Sequence, residues 1–60
     1  MFSVTIHMHY GIDRRSTCAS AGTALILMRD WYDETGEYVE VEDMERGIVI
    51  ASLGKVLANE

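Results

Sequence analysis

From Phe2 to Tyr10 the chain alternates without a break, with Phe2, Val4, Ile6, Met8 and Tyr10 on one side and Ser3, Thr5, His7 and His9 on the other. A period of two is that of a half-buried β-strand, whose successive side chains leave opposite faces. A strand so placed commits the chain to a sheet with one dry face. Later segments must then supply its neighbours and its cover.

Gly11-Ile12-Asp13 reads as a turn, and a helix follows that starts between Ser16 and Ser20 and ends at Gly36. Ser16 or Thr17 can cap the first free N–H groups, and Gly36 suits the left-handed position after the last turn. Cys18, Ala21, Leu25, Met28 and Tyr32 share one helical face, Ala24, Leu27 and Trp31 widen it, and Ile26 lies opposite. Tyr38 to Asp43 alternates again, Val39 and Val41 inward, Tyr38, Glu40 and Glu42 outward. Glu45-Arg46-Gly47 has the character of a hairpin turn. Ile48 to Leu53 is apolar except for Ser52, which suits a central strand with two neighbours. The tail, 54–60, reads equally as a short fourth strand or a last helical turn.

The expected fold is therefore α+β: a single domain, 1–60, in two layers with the order β-α-β-β. Its three-stranded sheet, antiparallel throughout if the last strand lies in the middle, carries the helix on one face. The other face is left to water or a partner.

Sixty residues bury only about 60% of the surface that the unfolded chain exposes, so stability at this size often needs a staple. Cys18 is the only cysteine, which rules out an internal disulfide and favours a reducing, cytoplasmic setting. No zinc-type pattern of Cys and His is intact, so no metal or cofactor is expected. Self-association is the remaining staple. The 48% apolar content excludes general disorder, and the apolar run Ala24 to Met28 is far too short to cross a membrane. The start has no basic, apolar leader pattern and suggests a complete small gene product. A net charge of -5 disfavours direct binding to nucleic acid or anionic lipid.

That charge is lopsided. Eight of the ten acidic residues, Asp30, Asp33, Glu34, Glu37, Glu40, Glu42, Asp43 and Glu45, fall in one stretch with no Lys or Arg between them. The plain account is a solvated surface. Against it, Asp30, Asp33 and Glu34 occupy the last helical turns, where the dipole prefers cations and each acid costs about 0.3–1 kcal/mol. Rows of carboxylates along a helix end and a strand imitate a phosphate backbone or dock onto a basic groove. Trp31 and Leu27 on the helix flank, with Tyr32 and Tyr38 near the acids, are either core or interface anchors.

Other constellations carry weaker signals. His7 and His9 share a strand face, as any i, i+2 pair does; with the last strand in the middle, Glu40 and Glu42 would stand two strands, ~10 Å, away. A pH-sensing role is the milder alternative. Arg14 and Arg15 precede the helix among Ser16, Thr17, Cys18 and Ser20, a setting for an anion or a reactive thiol, but without the glycine spacing of a phosphate loop. The plain account makes Cys18 a small core residue. No motif sets a nucleophile beside a base, and the chain has little volume for a pocket of about 300 Å³ or more, so no enzymatic activity is expected.

In size, charge and self-contained fold the chain resembles the small acidic proteins by which viruses of bacteria inhibit host enzymes. By elimination it acts by presenting a surface. The first expectation is a phage-type inhibitor or regulator that docks on a basic, nucleic-acid-binding site of a host protein. It would use Asp30, Asp33, Glu34, Glu37, Glu40 and Glu42 as the electrostatic half and Trp31 with Tyr38 as the apolar half. The alternative is a small structural module, a homodimer or subunit that associates through the open sheet face, because one helix cannot cover both faces of Ile48 to Leu53.

Overall fold

The computed structural model describes residues 1–8 and 11–54. It contains strand β1 (Phe2–His7), strand β2 (Arg14–Cys18), helix α1 (Ala21–Thr35), strand β3 (Tyr38–Asp43) and strand β4 (Ile48–Leu53). The strands form one sheet in the order β2-β1-β3-β4, antiparallel at every pairing, with α1 against one face. The α+β class and the two layers agree with the sequence reading, but the sheet has four strands rather than three. The added strand is β2, where the sequence suggests a turn and a helix start. It also sets direction. With β2 as a return pass, β1 and β3 become antiparallel neighbours, whereas a direct β-α-β crossover would make them parallel.

The core is built where the two middle strands meet. Val4 lies opposite Val41 and Ile6 opposite Val39, and all four are 0% exposed. These β-branched cross-strand pairs favour the pleated surface and form the base on which the helix rests. Ala24 and Met28 are the buried residues of α1, and the missing bulk at Ala24 lets the helix approach the sheet closely. Cys18 completes the buried cluster, and Phe2, Met8, Leu27, Trp31, Tyr32, Ala51 and Leu53 pack against it. Leu25, expected on the inner face, is 39% exposed, and Ile26, expected opposite, is 65% exposed.

Local chemistry explains the element ends. Ser20, not Ser16 or Thr17, is the N-cap: its backbone is extended and its Oγ accepts from the Thr23 N–H at 3.2 Å. Ser16 and Thr17 are taken up by β2. At the other end Gly36 adopts φ 73° and its N–H donates to the Tyr32 carbonyl at 2.7 Å, as its sequence position predicts. In the β3–β4 hairpin, Asp43 Oδ1 accepts from the backbone N–H of Glu45 and of Arg46. Gly47, at φ 72°, donates to the Asp43 carbonyl. β1 ends at His7, with Met8 beyond it; the sequence reading of residues 9–10 and of 55–60 lies outside the described residues.

Ile48 to Leu53 is not the central strand. β4 lies at the edge, bonded only to β3, and its pairing shifts between Val41 and Glu42 so that Ile50 is left over as a bulge. A continuous apolar run fits a strand buried on both faces equally well as one with a dry inner face and an unclaimed outer edge. Here Ala51 and Leu53 serve the core, while Ile48, Val49 and Ile50 are 48%, 50% and 41% exposed.

Candidate protein-interaction surface

Pairing in the sheet determines which side chains share its outer face, away from the helix. Ser3, Thr5 and His7 of β1 stand beside Arg15 and Thr17 of β2 and beside Tyr38, Glu40 and Glu42 of β3. Val49 and Ser52 of β4 complete the row through Glu42 and Glu40. This face is polar. Arg15 lies across it and its Nε donates to Ser3 Oγ at 2.8 Å, leaving Ser3 only 1% exposed. The apolar surplus expected on the open face is therefore found elsewhere, along the β4 edge and the neighbouring flank of α1.

On the same face His7 is held by two acids. Its Nδ1 is 3.3 Å from Asp13 Oδ2, and Asp13 Oδ1 accepts from the Met8 N–H, which fastens the turn after β1. Nε2, itself closed off from solvent, is 3.5 Å from Glu40 Oε2 but without the geometry of a hydrogen bond. The ring also packs at 5.4 Å against Tyr38, whose hydroxyl donates to Glu40 Oε1 at 3.1 Å. Burial pushes the Tyr38 phenol above its ordinary value, and its hydrogen bond to the carboxylate acts in the same direction. The two-strand separation between His7 and the acids does not hold, because β1 and β3 are neighbours. Even so, among the described residues no group of three or more His, Cys, Asp or Glu is arranged to hold a metal ion. His9 lies outside them.

The acidic stretch is divided by the chain reversal at Gly36. Asp30, Asp33 and Glu34 are exposed on the outer surface of α1, and Glu37 is half-buried in the loop that follows. Glu40 and Glu42 leave β3 on the opposite side of the two-layer structure, where Glu40 is engaged with Tyr38 and His7. Asp43 spends its side chain on the hairpin turn. The aromatic pair is likewise separated. Trp31 packs on the helix side, half-buried, with the Arg14 guanidinium 5.6 Å from its ring centroid, while Tyr38 belongs to the outer face. Sequence reasoning thus named two surfaces as one.

Arg14 and Arg15 do not form an anion site at the helix start. They belong to β2, so their side chains leave opposite faces, one toward Trp31 and the other onto Ser3. Cys18 ends the same strand in the core at 9% exposure, in line with its plain reading.

A feature that sequence reasoning missed lies between α1 and β4. Leu25, Ile26, Met28, Tyr32 and Leu53 line an open, mainly apolar groove of about 590 Å³, with Arg29 and Asp33 at its rim. This exceeds the volume expected of so small a chain because the groove is a surface depression beside an edge strand rather than an enclosed cavity. Its signal was the width of the apolar helix stripe, which Ala24, Leu27 and Trp31 extend and which leaves Leu25 39% exposed.

The chain matches no protein-family model, no curated protein and no solved structure. The fold defines the class: among the described residues, a small α+β domain with a four-stranded antiparallel sheet and one covering helix. No helix among the described residues is long and apolar enough to cross a membrane.

Proposed function

We propose that this chain is a small acidic regulator that binds a basic site on another protein, of the kind that handles nucleic acid, and blocks it. One observation carries the reading: Asp30, Asp33 and Glu34 stand exposed on the outer surface of the C-terminal half of α1, and no basic residue occupies its last turn. Unfavourable interaction with the helix dipole, and repulsion between Asp30 and Glu34 one turn apart, cost stability that no ion pair among the described residues offsets. A basic partner would recover it. Fields of this kind speed association and make it sensitive to salt.

The division of the acids sharpens the proposal. The helix carboxylates, with Glu37 beyond them, form the electrostatic half, and half-buried Trp31, next to Asp30 in the chain, supplies an aromatic at the helix flank. Glu40, Glu42 and Tyr38 lie on the separate outer face, where Tyr38 and His7 already engage Glu40. The test is capture of partners from lysate of the source organism or its host, washed at low and then high salt, with two double reversals in parallel. Asp33→Lys with Glu34→Lys is expected to abolish capture of a salt-released basic protein, whereas Glu40→Lys with Glu42→Lys reduces it modestly. Equal retention by the wild type and the helix reversal would end the proposal.

A further inference from the structure

The two edges of the sheet are not alike, and the β4 edge is built as an open seam. Ile48–Leu53 has no charge and no proline. Charged or proline-bearing edges are the usual protection against strand addition, and of the common devices β4 keeps only a bulge, at Ile50. Its neighbour on the helix layer is the apolar groove of Leu25, Ile26, Met28, Tyr32 and Leu53. Strand edge and groove are contiguous through Leu53, so one occupant can meet both.

We propose that this seam is the contact between two copies of the chain, with β4 pairing antiparallel to β4 of the second copy and the α1 flanks meeting above it. The argument turns on what the occupant must bring. A lone extended peptide would satisfy the free backbone groups of β4 but leave Leu25 and Ile26 of the helix layer uncovered. A lone helix would fill the groove and leave the strand unpaired. A second copy presents a strand and a helix flank in the same relative arrangement, and a two-fold axis makes the surface its own complement.

Charge points the same way. Leu53 lies opposite Val39, and Gly54 packs within 3.1 Å of Tyr32, measured from the position its Cβ would take, so β4 runs alongside α1 and finishes at the acidic helix end. Antiparallel pairing of β4 with itself therefore sends the two clusters of Asp30, Asp33 and Glu34 to opposite ends of the seam, and a net charge of -5 per copy is not concentrated there. A basic partner, by contrast, finds no counter-charge on Ile48–Leu53.

The area sets the strength. At roughly 30–40 Å² per interface residue, the six residues of β4 with Leu25, Ile26, Arg29 and Tyr32 bury about 300–400 Å² per copy, which is below the ~800 Å² per partner of a standard interface and in the range of weak, transient contacts. The expected association is reversible and concentration-dependent, and it leaves Asp30 and Glu34 outside the contact. The two readings share only Asp33, at the groove rim, and are measured separately, one by sedimentation and the other by partner capture.

Sedimentation velocity of the full chain from about 10 µM to about 1 mM tests it, a range that spans weak but specific affinities. Wild type is expected to shift from monomer to dimer. Ile26→Lys, a change to a good helix former at a 65%-exposed position, should weaken dimerisation at least about tenfold without unfolding the chain. Val49→Lys at the strand edge should do the same, and amide exchange along 48–53 should slow with concentration only in wild type. A monomer across the whole range overturns the proposal. So does a dimer that tolerates both substitutions, which would place the contact elsewhere.

Discussion

β2 and β4 are both outermost strands of one sheet, yet they treat their exposed position in opposite ways. β2 carries Arg-Arg-Ser-Thr-Cys, and its arginines fold back onto the molecule, Arg14 over Trp31 and Arg15 onto Ser3. β4 carries no charge, and among the described residues no strand lies beyond its exposed Ile48, Val49 and Ile50. Lys and Arg on an edge make strand addition costly, because a second chain would have to strip water from them or pair with them. One edge is thus closed by its own side chains and the other is left to be closed by something else. Exposure alone does not distinguish them; what the exposed side chains reach does.

The comparison assumes that both edges hang on one core, and the largest expected effect tests that. Ile6→Ala removes a fully buried β-branched side chain from the central pair and should cost about 2–5 kcal/mol. A sixty-residue domain holds only ~3–9 kcal/mol in all at typical stability per residue, so little folded protein should remain. Ile50→Ala, at a bulged and 41%-exposed edge position, should cost about 0.5 kcal/mol in dilute solution. Urea melts at low micromolar concentration would show the contrast. Similar costs at the two sites would mean that β4 is part of the core after all.

A smaller effect is expected at the closed edge. Arg15→Ala removes the partner of the Ser3 hydroxyl and uncovers it to water, a loss of about 0.5–1.5 kcal/mol for one hydrogen bond. The informative variant is Arg14→Thr with Arg15→Thr, which keeps strand-compatible residues and removes both charges. If the arginines guard this edge, the variant should sediment as species larger than a dimer, since each copy then offers two open edges and the assembly no longer closes. A variant that never exceeds the wild-type state would show that something other than charge protects β2.

Much of this architecture was legible, and the rest was hidden for physical reasons. The alternation through Val4 and Ile6, the cap at Gly36 and the turn at Gly47 all have local causes, so local sequence reveals them. β2 escapes because five residues with Cys18 as their one buried member give no apolar period, and because Ser and Thr before a helix are also cap signals. Its trace lies in β1: a strand whose inner residues are fully buried needs a neighbour on each side, and the predicted three-stranded order gave it one. The acids misled for a geometric reason. For Asp33 and Glu34, outward means away from the sheet, whereas for Glu40 and Glu42 it means away from the helix, and in a two-layer fold these directions are opposed.

The polar fastenings on the outer face give the smallest and most specific test. Arg15 ties β2 to β1 through Ser3, and Tyr38 belongs to the hydrogen-bonded cluster with Glu40 that also reaches Ser52 on β4. Burial of Tyr38 raises its phenol above the ordinary value of 10.0, donation to Glu40 adds to the shift, and the Ser52 hydrogen bond opposes it. A folded-state value above the unfolded one means that, above the ordinary range, the folded protein holds the proton more firmly than the unfolded chain does. Stability from this source is fully present below pH 10 and is lost as pH rises through the folded value. Chemical melts between pH 8 and 11 should therefore show a decline at the alkaline end that Tyr38→Phe reduces. The neutral-pH stability of that variant should fall only by the value of one hydrogen bond, about 0.5–1.5 kcal/mol. In the same variant, hydrogen exchange in β4 should quicken while β2 is unchanged, because only one of the two edges is fastened through Tyr38. An alkaline decline identical in both proteins would assign it to another group and remove Tyr38 from the account of how β4 is held.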